Sequence, residues 1–167
     1  RYLVEQRMID SLVTTAGAVE DDIMRCFGDF ISTGFRNNDD VNLMSQGYVR
    51  QGNILVPVES RKKFRDFVWE ILREMHEKQD IKKGIKPCGS SIVKAMGLKI
   101  NNKECILSWA AWNDVPVTVP AFTDGYIGEI LYEYNKQHPG LIIDCVRDVF
   151  EFTKSVQWAK RTAALIF

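Results

Sequence analysis

The sequence predicts an α/β fold, a mostly parallel sheet covered by helices, on three observations. Short runs without a polar face recur along the chain: "DSLVT" at 10–14, "VPVTVPA" at 115–121, "LIIDCV" at 141–146 and "TAALIF" at 162–167. Between them lie longer segments whose apolar residues repeat every three or four positions, the helical period. Strands apolar on both faces belong to sheets buried on both sides, and the intervening helices supply the cover. At 167 residues the chain fits one domain, 1–167, long enough to bury a core.

Each element has its own signal. "RYLVEQRMI" reads as a helix end with Leu3, Val4 and Met8 on one side, and "DSLVT" as a short buried strand. Gly17 then opens a helix running to about Cys26. Residues 28–57 are rich in glycine and asparagine and predict an irregular excursion with a small hairpin around Gly52-Asn53. Ser60 reads as the cap of a long amphipathic helix carrying Phe64, Phe67, Val68, Ile71, Leu72 and Met75. After "KKGIKPCG", Ser90 or Ser91 caps a short helix, and "KECILSWAAWND" forms another with Trp109 and Trp112 on one side. "VPVTVPA" is a strand with Pro116 and Pro120 near its ends, where a missing N–H is tolerated. "TDG" is a turn, and "GYIGEILYEYNK" a helix that stops before His138-Pro139-Gly140. "LIIDCV" reads as a continuous apolar strand, "RDVFEFTKSVQWAKR" as a helix and "TAALIF" as a last strand.

The 22 Lys and Arg balance 22 Asp and Glu, so net charge gives no reason to expect nucleic acid or an anionic membrane as partner. No stretch reaches the roughly 20 apolar residues of a membrane span, and the first residues lack the order of a secretory signal. The chain opens on Arg1 without an initiator Met, which suggests part of a longer polypeptide. Cys26, Cys88, Cys105 and Cys145 fall in no metal-ligand spacing, so no metal site is read; in apolar company they fit reduced thiols of a cytoplasmic protein.

In open parallel sheets ligands gather at the carboxyl ends of the strands. One such end carries "TTAGAVEDD". Thr14 and Thr15 offer hydroxyls, Ala16 and Gly17 let a ligand approach the backbone, and the helix start presents free N–H groups. Glu20, Asp21 and Asp22 either complement the helix dipole or face a cation. A second end carries "AFTDGYIGE". Asp124 there is placed to accept from ribose hydroxyls, and Glu129 follows one helical turn later. Carboxylates from both ends suit a polycationic ligand such as a polyamine, while Thr-Asp-Gly is equally a plain turn. Asp144 and Asp148 flank Arg147 and read as a local ion pair. His76 and His138 lack a partner at useful spacing and read as surface histidines. No GxGxxG, P-loop or activated nucleophile is present.

Taken together, "RYLVEQRMIDSLVTTAGAVEDDIM", "GYVRQGNILVP", "PAFTDGYIGEILYEY", "PGLIIDCVRDV" and "AKRTAALIF" resemble the middle of deoxyhypusine synthase, in order over the whole chain. The resemblance implies a Rossmann-like fold, truncated at both ends relative to the family, and a tetramer with sites at subunit interfaces. It implies an NAD-dependent transferase that oxidises spermidine, carries the aminobutyl group on an enzyme lysine, and passes it to a lysine of a translation initiation factor. Carried over by position, Thr15, Ala16, Gly17, Asp21 and Asp124 would contact NAD, and Glu20, Asp21 and Glu129 would hold spermidine. The opening between strand and acids then has two jobs, a dinucleotide on the backbone and an amine on the carboxylates.

The chain departs from the family pattern TTAGG-VEED at Ala18 and Asp21, and from TDGxxGD at Glu129. One acid is shorter by a methylene and one longer, changes that a site held to sub-ångström tolerance feels. The family's catalytic lysine lies past the position of Phe167, so no catalytic residue is expected in this chain. An alternative follows: a catalytically degenerate regulatory paralogue that pairs with an active subunit in a hetero-tetramer instead of a homo-tetramer.

Overall fold

The computed structural model describes residues 1–35 and 39–166; Arg36, Asn37 and Asn38 of the expected excursion, and Phe167 of the expected last strand, lie outside the described residues. In chain order the elements are α1 (Tyr2–Glu5), β1 (Leu12–Val13), α2 (Ala16–Met24), β2 (Ile31–Ser32), α3 (Asp40–Ser45), β3 (Tyr48–Gln51) and β4 (Ile54–Pro57). They continue as α4 (Val58–Lys78), α5 (Gly89–Ile100), α6 (Ile106–Trp112), β5 (Val117–Thr118), α7 (Tyr126–Gln137) and α8 (Cys145–Trp158).

The α/β class holds, with a parallel pair at its centre. β1 lies beside β5 with Leu12 opposite Val117 and Val13 opposite Thr118. The pairing extends one step each way, through Leu12 N–H to Pro116 O and Thr14 N–H to Thr118 O, both 3.0 Å. Parallel strands need a long crossover, and α2 to α6 lie within it. Because the two strands run the same way, their carboxyl ends meet at one edge. That edge carries both motifs singled out in the sequence.

Helices enclose the pair through the apolar faces that their spacing predicts. Val19, Ile23 and Met24 of α2, Phe64, Val68, Ile71 and Leu72 of α4, and Ile92, Val93 and Met96 of α5 join Val117, Ile127 and Ile130 in one core. Each such side chain contributes roughly 1.5–3 kcal/mol on full burial, which more than offsets the modest helix propensity of the β-branched residues among them. Phe67 and Met75 pack at the margin of that core.

Part of the excursion is regular. β3 and β4 form an antiparallel hairpin in which Gln51 faces Ile54 across Gly52-Asn53, as expected. Gly52 takes φ +60°, a conformation open to glycine, which is what a two-residue hairpin loop requires. β2 adds on the other side of β4.

Several expected details are corrected. α4 starts at Val58 after Pro57, so Ser60 lies inside the helix, buried with its hydroxyl against Gly28. α5 is capped from Cys88, and Ser91 Oγ accepts from the Cys88 N–H at 2.9 Å. Residues 141–144 are not a strand. A strand needs a ladder partner, and here the backbone is satisfied otherwise: Ile142 N–H donates to Gln79 Oε1 and Asp144 N–H to Pro87 O, each at 2.8 Å. Leu141 and Ile143 still pack on the core while Ile142 faces out. Residues 162–166 likewise form no strand and are exposed. Among the described residues Asp148 pairs with no arginine; it is buried and accepts from the Ser90 hydroxyl at 2.6 Å and the Ser90 N–H at 2.9 Å, holding the start of α5. Asp144 caps α8 by accepting from the Arg147 N–H. His76 is part-buried with Nδ1 3.4 Å from the Tyr134 hydroxyl.

Candidate functional site

The carboxyl edge of the parallel pair brings the TTAG and TDG segments together although more than a hundred residues separate them. After β1, Thr15 stays extended at φ −90° and ψ 160° and caps α2, its Oγ1 accepting from the Ala18 N–H at 3.2 Å. Ala16 turns into the core while Thr15, Gly17 and Ala18 face outward. A Cβ built at Gly17 meets nothing within 4 Å, so the first turn of α2 is open to a ligand. Free N–H groups and the positive end of the helix dipole make such a place favourable for phosphate.

After β5 the chain passes through Pro120 and Ala121 into a turn closed by Asp124 N–H to Ala121 O at 3.0 Å. Asp124 is exposed. Gly125 follows at φ +106° as the N-cap of α7, a backbone state that glycine adopts without strain. Gly128 fixes how closely the helix sits on this turn, since a Cβ there would stand 2.1 Å from Thr123 O. Glu129 lies on the exposed side of the first turn of α7.

The three consecutive acids of α2 take three different positions. Glu20 is only 3% exposed, and its Oε1 accepts the Ile127 N–H at 2.8 Å, reaching across to the start of α7. Burial raises its carboxyl above the usual range, against the lowering effect of the Ile127 and Tyr126 N–H groups and, more weakly, of Arg61. Asp21 is half-buried beside the opening, and burial raises it too, with Arg25 opposing. Asp22 points the other way. Its Oδ2 accepts from the Leu107 N–H and the Cys105 thiol, each at 2.9 Å, while Oδ1 meets Arg25 at 3.1 Å. It therefore holds the start of α6, and burial, reinforced by the Asp22 carboxylate, pushes the Cys105 thiol up to about 12.

The edge thus gathers Thr15, Gly17, Asp21, Asp124 and Glu129 as accessible groups, with Ala16 and Glu20 behind them. The open helix start at Gly17 can take a phosphate and the exposed or half-buried carboxylates of Asp21, Asp124 and Glu129 can take hydroxyls or amines. Among the described residues no group of three His, Cys, Asp or Glu is placed to hold a metal. Sequence reasoning missed Gly125, Gly128 and Arg61. The Arg61 guanidinium lies 4.1 Å over the Tyr126 ring, at the first residue of α7. The glycine spacing in "DGYIG" was the available signal for the close turn; nothing local pointed to Arg61.

The family model for deoxyhypusine synthase matches residues 1–167. A deoxyhypusine synthase of Senecio vernalis is 39% identical over 149 residues, which are 89% of this chain and 40% of that protein. A deoxyhypusine synthase regulatory subunit of Trypanosoma brucei brucei is 38% identical over 154 residues, 88% of this chain and 45% of that protein. A crystal structure of an Entamoeba histolytica protein assigned as a deoxyhypusine synthase superposes with a TM-score of 0.73 at 30% identity, over 95% of this chain and 49% of that one. The chain spans under half the length of these curated relatives, 40% and 45%.

Proposed function

This chain belongs to the deoxyhypusine synthase family, and from that premise we propose that it forms the NAD- and spermidine-binding part of a transferase that modifies a lysine of a translation initiation factor. The observation that carries the reading is the parallel register of β1 and β5, which sets the TTAG and TDG segments side by side. Neither segment alone separates a site from a turn. Their meeting at one edge, with an open helix start at Gly17 and carboxylates around it, is what a paired dinucleotide and amine site needs.

In this reading Thr15, Ala16 and Gly17 receive the diphosphate and Asp124 the ribose hydroxyls of NAD, with Asp21 near its nicotinamide. Glu20, Asp21 and Glu129 form the amine side. Held there, NAD would supply reversible hydride acceptance at the carbon next to a spermidine nitrogen. The chain's own part is to hold that amine beside the ring, so that the reacting atoms need no further search. The lysine that carries the aminobutyl group belongs to sequence outside residues 1–167, in the same polypeptide or a partner subunit of the tetramer.

Replacing Gly17 by leucine tests the reading, because the new side chain enters open space on the protein and occupies the place of the diphosphate. Calorimetric titration of the natural full-length polypeptide should show NAD affinity lowered at least about tenfold while the melting temperature stays within a few degrees. Equal NAD binding by both proteins, or none by the unaltered one, contradicts it.

A second reading is favoured by the similarity to the trypanosome regulatory subunit and by Asp21 and Glu129, which differ from the family pattern. The chain would then bind ligands while an active partner subunit turns them over. Restoring Glu at 21 and Asp at 129 in the complete assembly separates the two. A gain in turnover means that the acids alone limit a working enzyme; no gain favours the regulatory subunit.

A further inference from the structure

Among the three acids on the amine side, we infer that Glu20 acts as a positioning residue for the site through α7, rather than as a ligand of the amine itself. This rests on the proposed NAD and spermidine site for its consequences, but not for its geometry. Glu20 is 3% exposed, and its Oε1 already accepts the Ile127 N–H at 2.8 Å. The same oxygen sits 2.8 Å from where a Cβ would stand on Gly125. Substitution of that glycine is therefore blocked twice, by φ +106° and by the carboxylate. Asp124 precedes Gly125 and Glu129 lies two residues past Ile127, so both exposed acids of the second segment ride on the turn that Glu20 grips.

Charge leads to the same assignment. The carboxylate stands at the positive end of α7, and Arg61, stacked on the Tyr126 ring at 4.1 Å, adds a second compensating charge. A carboxylate that is buried and already bound to the start of α7 has little left to offer an ammonium group. Asp21 and Glu129 keep accessible oxygens, and they carry the recognition of the amine. The link also explains why two segments a hundred residues apart form one site. A side chain from the first sets the backbone of the second.

The test compares Glu20→Gln with Glu20→Ala in the natural full-length polypeptide, reading NAD affinity, spermidine affinity and hydrogen exchange at the Ile127 amide. Glutamine removes the charge and keeps an oxygen to accept from Ile127; alanine removes both. Loss of such a cap should speed exchange at Ile127 and weaken both ligands by about tenfold in the alanine variant. Glutamine should restore all three to within about threefold. Spermidine binding that is lost equally in both variants, with exchange and NAD binding unchanged, overturns the inference and makes Glu20 an amine contact. Should the alanine variant not fold, glutamine decides alone: near-normal spermidine affinity supports positioning, and loss of more than about tenfold with NAD binding kept overturns it. If the unaltered protein binds neither ligand, the proposed function fails. The exchange arm then still reads the grip on α7: faster exchange in alanine that glutamine reverses supports it, and identical exchange in all three proteins overturns it.

Discussion

Glu20, Asp21 and Asp22 are adjacent in sequence and diverge completely in space. The run of acids was legible as a feature, but not its division of labour. Which helix start each carboxylate meets depends on Ile127 and Leu107, 107 and 85 positions further on. Asp22 makes the clearest residue-scale prediction. Asp22→Ala leaves the Leu107 N–H and the Cys105 thiol buried without an acceptor, and should lower stability by about 3 kcal/mol in urea unfolding, with Asp22→Asn losing less. Glu20 predicts a pH effect of unusual sign. Because burial raises its carboxyl above the ordinary 4.5, its folded form holds the proton more tightly than its unfolded form. Its contribution is therefore complete below that ordinary value and is lost as pH climbs through the raised one. Glu20→Gln cannot lose a proton, so its stability relative to the unaltered protein should grow more favourable from mildly acidic to neutral pH. Chemical unfolding of both proteins across that range measures the difference. A difference that shrinks toward neutral pH would contradict the assignment.

Elements defined by their own side chains were legible, and elements defined by a neighbour were not. α4 and α7 announce themselves through apolar spacing, and the β3–β4 hairpin through Gly52-Asn53. "LIID" has the composition of a buried strand, yet strand identity belongs to the ladder, and the Gln79 side chain and the Pro87 carbonyl take up its Ile142 and Asp144 N–H groups instead. The same distinction governs the helix glycines. At Gly97 a Cβ would lie 2.1 Å from Leu107 O and 3.1 Å from Ala111 Cβ, so α5 and α6 meet through a position with no room for a methyl. Gly97→Ala should cost about 2–3 kcal/mol by forcing the two helices apart. At Gly17, where nothing lies within 4 Å, alanine should be neutral or stabilising by about 0.5 kcal/mol through the loss of backbone freedom in the unfolded chain. Paired thermal melts decide, and similar shifts for the two variants would show that helix propensity, not the α5–α6 contact, governs both.

At the scale of the whole molecule, the apolar surface is distributed unevenly. The core around α2, α4, α5 and α7 is closed, but α8 leaves Val146 at 77%, Val149 at 54%, Phe150 at 61% and Trp158 at 75% exposure. Leu165 and Ile166, beyond it, are 67% and 89% exposed. Val146, Val149 and Phe150 share one side of the helix at three- and four-residue spacing, so the exposure is a continuous face and not scattered single residues. Asp148 on the same helix is buried against Ser90, which fixes the outward direction of that face. Apolar faces of this kind lead to association, because each copy removes from water what the other leaves exposed. The 167-residue chain by itself should therefore self-associate in a concentration-dependent way during sedimentation. Val149→Lys together with Phe150→Glu should shift it toward the monomer without lowering its melting temperature, since neither side chain belongs to the core. A unaltered chain that sediments as a monomer at every concentration would mean that this face is tolerated in water, and the association argument would fail.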